Sequence, residues 1–167
     1  MLKILFTERG LNELKRQIER QEATLRETTK EKGDAGVGQD GWHDEGYKLA
    51  NVDEMMWSQR LGELQKLEAR AEVVLIQDQC KEVRIGNGVV VKYDDGKETM
   101  YYVDGYQTEL VATRVSYHSP IGKLLLMAKI GDVRSITLKH GVRKFTISRI
   151  IPPSEAEMIF FNDQGGG

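Results

Sequence analysis

A glycine-rich, acidic segment between two helical segments constrains the fold of this chain most strongly. Residues 33–47 contain five glycines and four carboxylates, and they contain no lysine or arginine. The segments on either side both carry apolar residues at the spacing of one helix face. This order predicts two helices folded back on each other, with an acidic bend at residues 33–46.

The first helix is predicted to begin at Thr7, whose hydroxyl suits a helix N-cap, and to end near Gly33. Its apolar face carries Leu11, Leu14, Ile18 and Leu25, with Gln21 interrupting the stripe. The predicted face of the second helix carries Leu49, Val52, Met56, Leu61, Leu64, Leu67, Ala71 and Val74. Two such stripes can bury each other as an antiparallel coiled coil, about 40 Å long at 1.5 Å per residue.

After Cys80 the pattern changes to alternating, β-branched residues. Residues 88–93 and 97–103 flank an Asp-Asp-Gly turn, and residues 133–138 and 142–151 flank a second turn, so two hairpins are predicted. Ser119 followed by Pro120 predicts a short helix between them. The expected fold is α+β, with a helical hairpin (1–78), an antiparallel β domain with one short helix (79–153) and a flexible tail (154–167).

Composition excludes several classes of protein. The formal charge of −2 gives no global attraction to nucleic acid or membrane, although seven basic residues face one acid between Lys123 and Arg149. Cys80 is the only cysteine, so neither an internal disulfide nor a zinc cluster is expected. No apolar stretch approaches the roughly 20 residues that span a bilayer. We expect a cytoplasmic, soluble monomer without a membrane partner.

Two motifs resemble those of the bacterial Gre family of transcript-cleavage factors. Residues 6–14 resemble the Thr-x-x-Gly-x-x-x-Leu start of that family, and residues 114–133 resemble its C-terminal signature. The signature contains Ser119-Pro120-Ile121, Gly122-Lys123 and Gly131-Asp132-Val133. The resemblance covers residues from about 4 to 152, nearly the whole chain.

The resemblance implies a transcription elongation factor whose partners are bacterial RNA polymerase and the RNA 3′ end of backtracked complexes. In that family the coiled coil enters the secondary channel, and a C-terminal domain of FKBP-like fold docks at the channel rim. The matching docking residues here are Ser119, Pro120, Ile121 and Lys123. The factor is then no enzyme itself, because it stimulates the endonuclease activity of the polymerase.

Carboxylates at the bend suit this activity chemically. Two-metal hydrolysis of a phosphodiester needs a second cation about 4 Å from the first, and magnesium prefers carboxylate oxygens and water. The resemblance implies that Asp40 is a catalytic carboxylate and shared magnesium ligand, acting only in the complex, and we expect Asp44 to take the second acidic role through a small change of the bend, with Glu45 in reserve. No tightly bound cofactor is expected on the chain alone.

The tip departs from the family pattern of Asp-Leu-x-Glu-Asn-x-Glu-Tyr. When Tyr47 is set on the tyrosine, Asp40 falls on the aspartate, but His43 falls on the glutamate and Asp44 on the asparagine. Gre-like factors with altered tips can inhibit RNA synthesis instead of stimulating cleavage. Inhibition of RNA polymerase without cleavage activity is therefore the alternative function. Trp42 is predicted to stack on a base or to brace the loop. His43 is a proton donor, a phosphate contact or a residue without a role, and Tyr47 is predicted to support the second helix.

Two readings from other classes remain. An FKBP-like fold invites prolyl isomerase activity, but fold does not carry function, and the β domain has no tryptophan for an aromatic-lined pocket. The hairpin also suits a general adaptor for a helical partner. Removing the acids at the bend would leave the activity of such an adaptor unchanged.

Overall fold

A computed structural model describes residues 1–35, 45–107 and 109–162. The chain divides into two compact units. The first unit contains Met1–Ile4 and Leu11–Ala71, and the second contains Leu5–Gly10 and Glu72–Gly167. Residues 5–10, placed with the helical hairpin by the sequence analysis, therefore lie in the second unit.

The described residues form four helices and seven strands. In chain order these are β1 (Ile4–Phe6), α1 (Glu8–Ala35), α2 (Glu45–Ala69), β2 (Ala71–Val73), β3 (Gly88–Tyr93), β4 (Glu98–Asp104), β5 (Arg114–Ser116), α3 (Pro120–Leu125), β6 (Val133–Leu138), β7 (Gly141–Ile151) and α4 (Pro153–Phe161). Among them, neither of the long helices is sufficiently apolar to cross a bilayer. The α+β class is confirmed.

Helices α1 and α2 form an antiparallel hairpin. Near the ends that residues 36–44 connect, the Thr29 hydroxyl donates a long hydrogen bond of 3.5 Å to Glu54 Oε1. At the opposite ends, the Ile4 amide donates to the Arg70 carbonyl at 2.8 Å. Contacts at both ends place the start of α1 beside the end of α2, as the sequence predicts.

The buried face of α1 follows the predicted stripe, but that of α2 does not. Alternating steps of three and four residues on α1 carry the buried or half-buried residues Leu11, Leu14, Ile18, Gln21, Leu25 and Thr28. On α2 the same steps, counted back from the buried Leu64, reach Leu61, Trp57, Glu54 and the buried Ala50. The prediction is wrong for the exposed Leu49, Val52 and Met56, which lie between about a quarter and about half a turn away at 3.6 residues per turn.

The second unit contains a five-stranded sheet in the order β5-β4-β3-β7-β6. The β3–β4 and β6–β7 hairpins are confirmed, and Gly96 and Gly141 adopt positive φ angles at their turns. The sheet is mixed rather than antiparallel throughout, because β5 pairs in parallel with β4. Residues 105–113 connect these two strands.

The main core lies on one face of this sheet. Its buried members are Val83, Val89, Val91, Val103, Val115, Leu125, Ala128, Phe145, Ile147 and Ile150. Leu125 belongs to α3, so the predicted short helix covers this face. Alternation along β3 and β7 supplies the inward-facing side chains.

A second helix, which the sequence analysis did not predict, forms another cluster in this unit. Residues 153–161 form α4, although residues 154–167 were assigned to a flexible tail. Ala156 of α4 is buried with Tyr102 and Ile151, and Phe160 and Phe161 pack against them. The apolar residues near the end of the chain therefore cover the sheet instead of remaining free.

Candidate functional site

Of the candidate catalytic carboxylates, the structure describes Glu45. This residue is the first of α2, its side chain is 90% exposed, and its carboxylate accepts a hydrogen bond from the Lys48 ammonium at 3.3 Å. The positive end of a helix dipole favours a carboxylate at this position. Asp40, Trp42, His43 and Asp44 lie outside the described residues, as does the side chain of Tyr47.

The bend has a defined place in the chain. Residues 36–44 join the last residue of the 28-residue α1 to the first residue of the 25-residue α2. Across the described ranges, no group of three histidine, cysteine or acidic side chains is positioned to hold a metal ion.

The predicted docking segment is built around the N-terminus of α3. Ser119 caps this helix, because its hydroxyl accepts the Gly122 amide at 3.0 Å and donates to the Ser116 carbonyl at 2.7 Å. Pro120 occupies the first helical turn, where no intrahelical amide bond is lost. The Ser-Pro pair thus fixes where α3 begins.

Packing around Gly122 explains why the Ser-Pro-Ile-Gly-Lys run contains a glycine. A Cβ atom added to Gly122 would overlap with the carbonyl oxygen of Ser116. The first turn of α3 therefore approaches β5 so closely that only glycine fits. This constraint concerns packing and requires no ligand.

The predicted docking residues divide into two groups. Ser119 is engaged in the cap, and Ile121 packs against the main core. Pro120 and Lys123 are exposed. Because the second pair is exposed, these two residues are the better candidates for direct contact with a partner.

Met127 is a candidate that the sequence analysis missed. It has a φ angle of 64°, a conformation uncommon for residues other than glycine, and its side chain is 54% exposed. Backbone bonds enforce this geometry: the Met127 amide donates to the Val83 carbonyl at 2.8 Å, and the Val83 amide donates to the Ala128 carbonyl at 2.9 Å. A flexible apolar side chain is thus held in water on strained backbone.

Met127 belongs to a run of exposed side chains that we call the α3 surface. Its members are Pro120, Lys123, Met127, Ile130 and Val133. The three apolar residues that end this run are 54%, 61% and 57% exposed. Exposed apolar side chains mark an interaction site where they form a contiguous patch, so these three residues are candidates for contact with a partner. The residue that follows a helix often adopts the αL conformation and is commonly glycine. Methionine at this position, directly after the predicted short helix, is the sequence signal that could have identified Met127.

A polar and aromatic cluster lies just before α3. The Ser116 hydroxyl and His118 Nδ1 are 2.6 Å apart, and the His118 ring stacks on Tyr106 with centroids 5.0 Å apart. The Tyr106 amide donates to the Leu5 carbonyl at 2.7 Å. This chain of contacts fixes the loops on either side of β5 against the N-terminal segment.

The comparisons with known proteins agree with these elements. Residues 77–152 match the family described as transcription elongation factor, GreA/GreB, C-term. Transcription elongation factor GreA of Thermotoga petrophila is 27% identical over 157 residues, which cover 90% of this chain and 99% of that protein. Transcription inhibitor protein Gfh1 of Thermus thermophilus is 29% identical over 153 residues, covering 88% and 96%. A crystal structure of Gfh1 from Thermus thermophilus is 25% identical with a TM-score of 0.42, covering 89% and 98%.

The chain therefore combines a helical hairpin and a C-terminal sheet domain with sequence similarity to transcription factors. Residues 77–152 match the C-terminal family of GreA and GreB, and about nine tenths of the chain is similar to a GreA elongation factor and to a Gfh1 inhibitor.

Proposed function

We propose that this protein binds bacterial RNA polymerase, with its helical hairpin in the secondary channel, and stimulates cleavage of backtracked RNA. The match of residues 77–152 to the GreA/GreB C-terminal family and the similarity to GreA along nearly the whole chain support the elongation role. RNA polymerase and the extruded RNA 3′ end are the proposed partners. The hydrolytic activity belongs to the polymerase, so the protein is an activator rather than an enzyme.

The antiparallel hairpin is the observation that carries this proposal. At 1.5 Å per residue, helices α1 and α2 run for about 42 Å and about 38 Å. Residues 36–44, which contain Asp40 and Asp44, form the connection between them. A narrow pair of helices with acids in its connection suits delivery of carboxylates into a confined site.

The chemistry of the tip fits magnesium. Asp40 and Asp44 would hold the ion together with groups of the polymerase, and Glu45 would serve in reserve. Magnesium, when bound, activates a water molecule and stabilises negative charge on the reacting phosphate. Carboxylates are the ligands that it prefers, and one or two of them usually suffice beside water and substrate oxygens. The exposed Glu45 carboxylate is already paired with the Lys48 ammonium. Because this ammonium competes with magnesium for the carboxylate, Glu45 is a weaker candidate for a magnesium ligand.

The α3 surface is the proposed docking site of the second unit. Pro120 and Lys123 lie within it, and Ser119 and Ile121 hold α3 in position from beneath. Met127 and Ile130 add exposed apolar area. Burial of such area on binding contributes roughly 25 cal/mol per Å².

Inhibition without cleavage is the second candidate function. The observation that favours it is the 29% identity to Gfh1, a transcription inhibitor protein, over 96% of the length of that protein. His43 also stands where the family pattern has glutamate. A protein that occupies the channel without a full set of tip acids would block synthesis and leave cleavage unstimulated.

Cleavage of RNA in stalled polymerase complexes tests both candidates. We expect wild type to accelerate cleavage, and Asp40→Asn and Asp44→Asn to remove most of that acceleration while binding of polymerase persists. Asp34→Asn is the matched control, because it removes an acid of α1 that has no assigned role. If the wild type binds RNA polymerase and slows RNA synthesis without stimulating cleavage, the second candidate function, inhibition, is correct. Equal cleavage by all four proteins would exclude the assigned carboxylates.

A further inference from the structure

Helix α4 begins one residue beyond the segment that matches the GreA/GreB C-terminal family, which ends at residue 152. Its first turn is firmly fixed. The Ser154 amide and hydroxyl donate to the two carboxylate oxygens of Asp78 at 2.9 and 3.0 Å. Arg149 of β7 donates to the Glu155 carboxylate at 2.7 Å. The helix is therefore a structured addition to the domain.

The last turn of α4 packs on an aromatic residue of β4. Tyr102 is 3% exposed, and its ring lies 5.6 Å from Phe160 and 4.9 Å from Phe161 between centroids. The second pair has an edge-to-face geometry, with an interplanar angle of 89°. Aromatic pairs of this kind contribute specific stabilisation beyond the area that they bury. Phe161 is thereby held in one orientation.

Phe161 also contacts the first turn of α1. The guanidinium of Arg9 lies over the Phe161 ring, 3.7 Å from its centroid, and Arg9 also forms an ion pair with Glu157. Both members of this ion pair are more than a third exposed, so it contributes little by itself. The Arg9 guanidinium lies close to the Phe161 ring, which is itself packed against Tyr102. This cation–π contact is therefore stronger than the ion pair.

A second guanidinium connects this contact to the interior. Arg114 lies 5.1 Å from the Phe161 centroid and donates twice to Asp104 Oδ2, at 2.8 and 3.1 Å. Asp104 also accepts the Thr7 hydroxyl at 3.0 Å. The residues just before and within the first turn of α1 are therefore held by β4 on one side and by the end of α4 on another.

We propose that α4 is a C-terminal strap that closes over the first turn of α1, Glu8–Gly10, and that its detachment loosens this turn. The inference goes beyond the proposed function, because it concerns how the chain holds the start of its longest helix. Every contact named here lies in the second unit. Anything that captures or removes residues 157–162 would then change the stability of α1 at its beginning.

Hydrogen exchange of backbone amides in the full chain tests the strap. In Phe161→Ala we expect the amides of residues 10–14, which bond to acceptors at residues 7–10, to exchange at least about tenfold faster, equivalent to about 1.4 kcal/mol. Met158→Ala is the matched control, because Met158 lies on the same helix and is 64% exposed. We expect exchange at residues 10–14 to be unchanged in this control. Faster exchange in α4 alone would overturn the proposal, since α4 would then only cover the sheet.

A variant of Arg9, the partner of Phe161 in this contact, keeps the test decisive if Phe161→Ala destabilises the whole domain. Arg9→Met keeps a long side chain but removes the cation that lies over the ring. The strap requires that this change in α1 accelerate exchange in the last turn of α4, at residues 157–161, while exchange in β3 and β7 stays the same. Unchanged exchange in α4, or uniform acceleration through the sheet, would contradict a strap.

Discussion

The Thr7 hydroxyl donates a hydrogen bond of 3.0 Å to Asp104 Oδ1 across 97 positions of sequence. The same hydroxyl accepts the Gly10 amide at 3.1 Å, so Thr7 both caps α1 and fastens the cap to the end of β4. Both residues are buried. Because Asp104 also accepts two hydrogen bonds from Arg114, its charge is compensated in the interior.

Thr7→Val should lower the free energy of unfolding by about 1 to 3 kcal/mol, because it removes a helix cap and leaves one bond of a buried carboxylate unmade. Thr7→Ser is the matched control, since it keeps the hydroxyl. Urea denaturation measures both. An unchanged stability of Thr7→Val would show that the hydroxyl contributes nothing, and a loss in Thr7→Ser as large as that in Thr7→Val would show that the methyl group contributes as much as the hydroxyl.

Local signals in the sequence predicted much of the fold. The cap at Thr7, the Ser119-Pro120 helix start and the turns before Gly96 and Gly141 all appear where their residue types indicate. These signals succeed because each depends on neighbours within four residues. The partner of Thr7 was not predictable, because nothing in one sequence relates position 7 to Asp104.

Features that depend on packing were predicted less well. The apolar stripe of α2 included Leu49, which is 64% exposed, because apolar character alone does not fix which face meets α1. Helix α4 was missed because a short segment after two prolines has weak periodicity, and its stability comes from Tyr102. The candidate carboxylates Asp40 and Asp44 remain predictions.

Two glycine substitutions should have opposite effects. Gly122→Ala should destabilise the second unit strongly, by more than about 3 kcal/mol, because the new methyl group would overlap with backbone at Ser116. Gly62→Ala should stabilise α2 by about 0.5 to 1 kcal/mol, since a Cβ there has open space and alanine is the better helix former. Denaturation curves of the two variants provide the measurement. A stable Gly122→Ala protein would refute the close approach of α3 to β5.

Met127→Gly should separate stability from binding. Glycine adopts the φ angle of 64° without strain, so this variant should be as stable as the wild type or more stable by about 1 kcal/mol. Its affinity for RNA polymerase should nevertheless fall about tenfold, because an exposed apolar side chain of the α3 surface is lost. Thermal unfolding and competition binding with labelled protein measure the two properties.

Two variants control the Met127 experiment. Met127→Leu should keep most of the affinity, since it keeps an apolar side chain of similar volume. Met127→Val should lower stability, because a β-branched residue is poorly accommodated at positive φ. Unchanged polymerase affinity in Met127→Gly would remove Met127 from the docking surface.

Alkaline pH should weaken the fold through Tyr102. Burial, together with the nearby Asp104 carboxylate, raises the pKa of Tyr102 to about 12. The neutral phenol is therefore favoured in the folded state, and its contribution is fully present below the unfolded pKa of about 10. As the pH rises from about 10 to about 12, on the order of 3 kcal/mol of stability should be lost. Burial raises the pKa of Tyr101 as well, so its contribution is lost in the same direction.

Tyr102→Phe isolates this effect, because phenylalanine keeps the ring against Phe160 and Phe161 but has no proton to lose. We expect the free energy of unfolding of this variant to fall less steeply than that of the wild type between pH 9 and pH 11.5. Urea denaturation at several pH values gives the two curves, and absorbance of the ionised phenol follows the titration. Parallel curves would mean that Tyr102 ionises without a change in the stability of the fold.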